Sequence, residues 1–117
     1  MVPNRFEAVV ASLKIEGYLL SPTHEQGGSK AKFFFRFGFS ESNPSELSEA
    51  LLEHVQTREV IKVTDSDFGQ KFTVECEITT PDGRNPCIYS VWIINESVTQ
   101  PRFVTACPSK RRHSKTD

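Results

Sequence analysis

His24 and Lys30 are the residues whose types and spacing could do chemistry. They flank the end of a loop by composition, Ser21-Pro22-Thr23-His24-Glu25-Gln26-Gly27-Gly28. Such a loop can fold back so that an imidazole and an ammonium face one site. Together they would serve an anionic substrate, the His for proton transfer and the Lys for charge stabilisation. A solvated loop histidine with a lysine nearby is the plainer alternative. Trp92, the single Trp, reads as core by pattern, with a stacking surface for a base as its alternative. Thr105 is ordinary by itself, since Thr suits strands.

Other chemistries find no footing. The chain has no P-loop, no dinucleotide fingerprint and no HExxH. His and Cys do not cluster at metal-ligand spacing, so neither a metal nor a cofactor is expected. The three cysteines, Cys76, Cys87 and Cys107, are odd in number and include no CxxC pair. They are expected to be small buried hydrophobes rather than a disulfide framework.

At 117 residues with 37% hydrophobic content and nine Phe, one core can form without a structural metal. No apolar run is long enough to span a bilayer. No basic-then-apolar leader is evident, so a cytoplasmic chain with no membrane partner is expected. The net charge of −1 conceals a regional pattern. Residues 1–40 carry five basic and three acidic groups, 41–77 three and nine, and 78–117 six and three. An acidic segment between two mildly basic ones requires any nucleic-acid function to rest on a local site.

The elements that must position these groups fall in a simple order. A short helix is expected over 12–20, where Leu13, Tyr18, Leu19 and Leu20 can form an apolar patch despite Gly17. Ser29 can cap a second helix, 30–37, ended by Gly38. The run Phe33-Phe34-Phe35 could equally be a strand. Pro44 opens a third helix, 44–55, with Leu47, Ala50, Leu51 and Val55 on one side. His54, near its end, reads as solvated or held by the helix dipole. Val60, Ile61 and Val63 then mark a strand. Residues 70–79 alternate, with Phe72, Val74, Cys76 and Ile78 on one face. After the turn Pro81-Asp82-Gly83, residues 86–95 form a central strand in which Ser90, Trp92 and Ile94 share a face. A last strand covers 102–107, with Phe103 and Thr105 pointing the same way. Segregated helices and strands argue for an α+β fold, N-terminal helices packed on a four-stranded antiparallel sheet. The domain spans 1–108, and 109–117 is a basic tail that aids solubility or adds phosphate contacts.

Several stretches in order carry a family resemblance. They are Lys14-Ile15-Glu16-Gly17-Tyr18-Leu19-Leu20-Ser21-Pro22-Thr23-His24, Gly28-Ser29-Lys30-Ala31-Lys32-Phe33-Phe34, Phe68-Gly69-Gln70-Lys71-Phe72, Ser90-Val91-Trp92-Ile93-Ile94 and Pro101-Arg102-Phe103-Val104-Thr105-Ala106. Together, over residues 3–108, they resemble a largely uncharacterised bacterial domain family, a domain of unknown function. That family looks like a branch of the barnase/EndoU/RelE-like ribonuclease toxins. The resemblance implies a metal-independent endoribonuclease, the toxin of a toxin–antitoxin pair, with RNA as substrate and a small antitoxin as partner. Carried over, His24, Lys30 and Thr105 would be catalytic. His24 would be the base, Lys30 would neutralise the phosphorane, and Thr105 would bind a phosphate oxygen or orient the His. Trp92, Lys32 and Ser90 would contact substrate. Cys107 stands where the family more often has Tyr. The competing readings are a non-catalytic interaction module, including a degenerate toxin-like domain, and a phage- or adhesin-linked structural domain. The oligomeric state is not fixed by the sequence.

Overall fold

The computed structural model describes residues 1–21 and 28–109. An N-terminal segment with one 3-10 turn (Arg5–Glu7) leads to helix α1 (Ser12–Lys14), which continues as a π-helical turn (Ile15–Leu19). Helices α2 (Gly28–Arg36) and α3 (Pro44–Thr57) follow. Strands β1 (Glu59–Ser66), β2 (Gly69–Glu77), β3 (Cys87–Asn95) and β4 (Arg102–Pro108) complete the chain. They form one antiparallel meander in the order β1-β2-β3-β4. The expected α+β layout is therefore the observed one. No helix among the described residues is long and apolar enough to cross a membrane.

The Phe33-Phe34-Phe35 run resolves as helix. Phe34 is fully buried, with the rings of Phe33 and Phe39 5.1 and 5.9 Å from its own. Helical spacing gives one deeply buried ring of the three, where a strand would bury alternate ones. Ser29 lies inside α2 rather than capping it. Gly38, at φ 103°, ends that helix, and the Phe39 amide turns back to the Phe34 carbonyl at 3.2 Å. The 81–83 turn is pinned beneath. Arg84 donates to Asp82 at 2.7 Å and to the Arg36 carbonyl at 2.6 Å. In α3, Pro44 occupies the first turn, and Leu47, Leu51 and Val55 are fully buried.

One sheet face and the helices enclose the core. Its centre is Trp92, wholly buried, with the Phe103 ring edge-on at 5.3 Å. One sequence expectation fails on β4. Phe103 pairs with Trp92, but Thr105 pairs with Val91, because the register shifts between Val91 and Trp92. The extra residue is Val104, so Phe103 and Thr105 belong to different faces. The cysteines also differ from expectation. Cys76 and Cys87 are joined as a disulfide with their Cα atoms 4.3 Å apart, and Cys107 alone is a free thiol. Antiparallel pairing sets Cys76 opposite Ile88, one residue from Cys87, a proximity that composition does not report.

His54 departs from expectation as well. It is 1% exposed, not solvated. Its Nε2 lies 2.9 Å from the Cys76 carbonyl and its Nδ1 2.8 Å from the Ser90 hydroxyl. Burial holds its pKa down to about 4, so the ring is neutral near pH 7. A carbonyl only accepts, so Nε2 carries the proton and Nδ1 accepts from Ser90. The Trp92 indole N–H in turn donates to the Ser90 oxygen at 2.8 Å. Donor and acceptor roles thus run one way, Trp92 to Ser90 to His54 to the Cys76 carbonyl. Each buried polar group is paired, and the core acquires a fixed polar spine.

Candidate functional site

A cleft of about 710 Å³ opens between α1, its π-helical continuation and β4. Leu13, Lys14, Gly17 and Tyr18 form one wall, and Val104 and Thr105 the other. The wall is anchored from behind, since Ile15 and Leu19 on the same helical segment are fully buried. Alternation of buried and outward positions at helical spacing leaves Lys14 and Tyr18 facing the cleft. The β4 wall is set by the bulge at Val104, which takes Thr105 out of the core layer.

Tyr18 is the junction of the site. Its hydroxyl lies 3.0 Å from the Thr105 hydroxyl, and either oxygen can donate. Two ammonium groups lie over its ring: Lys14 Nζ at 5.6 Å and Lys30 Nζ at 5.7 Å from the centroid. Lys30 comes from the start of α2, which packs against both the π-helical turn and β4. Two hydroxyls and two cations from three elements therefore gather at one half-buried place. That set can bind a tetrahedral anion, the cations supplying charge and the hydroxyls directed hydrogen bonds.

Lys30 and Thr105 thus both contact Tyr18, Thr105 as part of the cleft lining and Lys30 over the ring from α2. His24 lies outside the described residues, as do residues 110–117 of the basic tail. Lys32 is exposed and stands about 200° further round α2 than Lys30, so it faces away from Tyr18. Trp92 and Ser90 are wholly buried. Their polar atoms are committed to one another and to His54, which leaves no face for a base to stack on. Among the described residues no three His, Cys, Asp or Glu side chains converge as a metal site. Cys107 is half-buried and sits opposite Tyr89 across β3 and β4.

Tyr18 and Lys14 are members of the site that sequence reasoning misses. By pattern, Tyr18 is only part of an apolar patch. The usable signal is the spacing of Lys14 and Tyr18, one helical turn apart, within the first stretch that carries the family resemblance.

A family model described as a domain of unknown function, DUF6883, matches residues 1–110. No curated protein matches the chain. Among solved structures, a chain of a contact-dependent growth inhibition toxin–immunity protein complex from Klebsiella pneumoniae 342 is similar in fold, with a TM-score of 0.69 and 18% sequence identity. The match covers 87% of this chain and 100% of that one. At that identity the likeness speaks for the fold, the helices followed by the four-stranded meander.

Proposed function

The chain belongs to the DUF6883 family, and from that premise we propose that it is a toxin-like domain that cleaves RNA and works beside a small protein that restrains it. One observation carries the reading: Thr105 near the C-terminal end and Lys14 near the start line one cleft with Tyr18, and Lys30 in α2 lies over the same Tyr18 ring. A structural skeleton has no need to gather two cations and two hydroxyls at a solvent-open place.

The chemistry is transesterification. A base removes the proton of a ribose 2′-hydroxyl. The 2′ oxygen bonds to the adjacent phosphorus as the bond from phosphorus to the 5′ oxygen breaks. The departing 5′ oxygen takes up a proton, leaving a 2′,3′-cyclic phosphate and a 5′-hydroxyl strand. Negative charge gathers on the non-bridging oxygens on the way. Lys30 and Lys14 neutralise it, and the Thr105 and Tyr18 hydroxyls donate to those oxygens. His24 is the base in this reading, and in sequence it is equally distant from Tyr18 and Lys30. The chain's own cations fill the role a metal would otherwise take.

The partner is proposed by analogy with the fold neighbour, a chain from a complex of a toxin with an immunity protein. RNA places the action in the cytoplasm. The Cys76–Cys87 bridge fits a chain that meets an oxidising compartment before it acts.

Induced expression of wild type, Lys30→Ala and Thr105→Val, with growth and total RNA followed, tests the reading. Wild type should arrest growth and leave cyclic-phosphate ends. Each variant should slow cleavage by about 10²-fold or more. A harmless wild type that leaves RNA intact overturns it. A second reading then stands, a non-catalytic interaction module. It is favoured by the outer face of α3, where exposed Glu46, Glu49 and Glu53 line a groove of about 290 Å³.

A further inference from the structure

Beside the Tyr18 cleft lies a second groove, of about 380 Å³, on the sheet face opposite the Trp92 core, with Lys14 of α1 at its margin. The two share Lys14 and Val104 and so form one continuous surface. The groove is crossed by a row of paired residues: Lys71 on β2 stands opposite Ile93 on β3, which stands opposite Arg102 on β4. Side chains directly opposite in antiparallel strands share a face, so Lys71 and Arg102 flank Ile93 on one surface. Two strand spacings set their backbones about 10 Å apart. Both are exposed, neither forms an ion pair among the described residues, and no acidic residue lines the groove. At its far end is Phe68, 73% exposed at the β1–β2 turn.

We propose that this groove binds single-stranded RNA flanking the scissile phosphate, a proposal that rests on the cleavage reading above. Lys14, Lys71 and Arg102 form a cationic track leading away from the Tyr18 cleft, and Phe68 is the platform on which an unpaired base stacks. Cations along an acid-free groove attract any polyanion. The exposed ring at its end, otherwise a liability in water, favours a nucleic-acid strand over an acidic protein, because every base offers a flat face to it. Glu75 and Glu77 share the outer face of β2 with Lys71 but lie further along the strand, and neither lines the groove, so the track itself stays cationic. The net charge of −1 is then no obstacle, since the local site carries the attraction.

The test uses the whole chain and a fluorescent single-stranded oligonucleotide made uncleavable by 2′-O-methyl groups, with binding followed by anisotropy at several salt concentrations. Wild type should bind, and the affinity should fall with salt. The double variant Lys71→Gln/Arg102→Gln should bind more weakly and lower the salt slope by about 1.4, near 0.7 per lost phosphate contact. Phe68→Ala should weaken binding by about 5- to 100-fold with the slope unchanged. Lys30→Ala should retain most of the binding while losing cleavage. If the groove variants bind and cleave as wild type does, the track is overturned while the cleavage site stands. If groove-dependent binding is seen and wild type cleaves nothing, the cleavage reading fails and the track stands. If poly-glutamate competes as well as an equally long oligonucleotide, and Phe68→Ala changes nothing, the occupant is an acidic protein and the RNA proposal is overturned.

Discussion

Tyr18 touches Thr105 through its hydroxyl and both lysines through its ring, and one substitution separates the two uses. Tyr18→Phe keeps the ring beneath Lys14 and Lys30 and removes the hydroxyl. A hydrogen bond to a charged group is worth about 1.5–3 kcal/mol. RNA cleavage, measured on a defined oligonucleotide, should therefore fall about 10- to 100-fold with thermal stability within about 1 kcal/mol of wild type. Tyr18→Ala should lose more of both, because the cations lose their apolar support. His54 makes a different prediction. Burial lowers its pKa in the fold to about 4 from the ordinary histidine value of 6.5. Between those values the unfolded chain binds a proton that the folded one refuses, so stability rises with pH across that window. Acidification from pH 7 to below 4 should remove about 3 kcal/mol from this group alone. Urea midpoints should fall most steeply between about pH 6.5 and 4, and a folded His54→Gln variant should show a flatter profile there. The contrast between these two residues explains what the sequence could and could not show. Lys30 and Thr105 are legible as candidate site residues through the family resemblance, and both lie against Tyr18. His54 reads as solvated because Glu53 and Gln56 beside it are polar, yet helical geometry turns it inward toward Ser90. Polar partners for a buried histidine come from strands far along the chain, beyond any local pattern.

At the scale of elements, periodicity predicts more than position. The alternation of Phe72, Val74 and Ile78 foretells a half-buried strand, and each of the three is buried. The helix 44–55 is legible from the Leu47, Leu51 and Val55 stripe and the Pro44 start. The β4 bulge is not, since a single inserted residue leaves composition unchanged and shows only when two strands are aligned. That one residue, Val104, decides whether Thr105 faces the core or the cleft. Glycines at two turns allow a matched test of backbone demand. Gly69 has φ 141°, and a Cβ there would run into the Ile94 carbonyl and the Asn95 backbone. Gly83 has φ 81° with nothing near its would-be Cβ. Gly83→Ala should cost about 1 kcal/mol for the left-handed conformation alone. Gly69→Ala adds a clash with backbone that cannot move aside and should cost about 3 kcal/mol or more. Paired denaturant titrations of the two variants measure the difference. Because Gly69 also fixes the turn that presents Phe68, its replacement should weaken oligonucleotide binding as well.

The whole molecule is bound by one covalent crosslink that composition does not announce. The Cys76–Cys87 bridge closes a loop with a sequence separation of 11, and a loop of that size is worth about 3 kcal/mol. Reduction, or the double change Cys76→Ser/Cys87→Ser, should lower the unfolding free energy by about 2–4 kcal/mol in urea titrations. The bridge also ties down the strand whose Cys76 carbonyl accepts the His54 hydrogen bond. The sheet itself has unequal sides. Along β4 the Val9 amide donates to the Pro101 carbonyl and the Phe103 amide to the Val9 carbonyl, each at 3.0 Å. The opening residues thus occupy that margin, and β1 is the other. Growth of this sheet by accretion of further chains would consequently be one-directional, starting from β1. The register slip beside Ile61 spoils the template just where its exposed Ile61 and Val63 would otherwise make it adhesive.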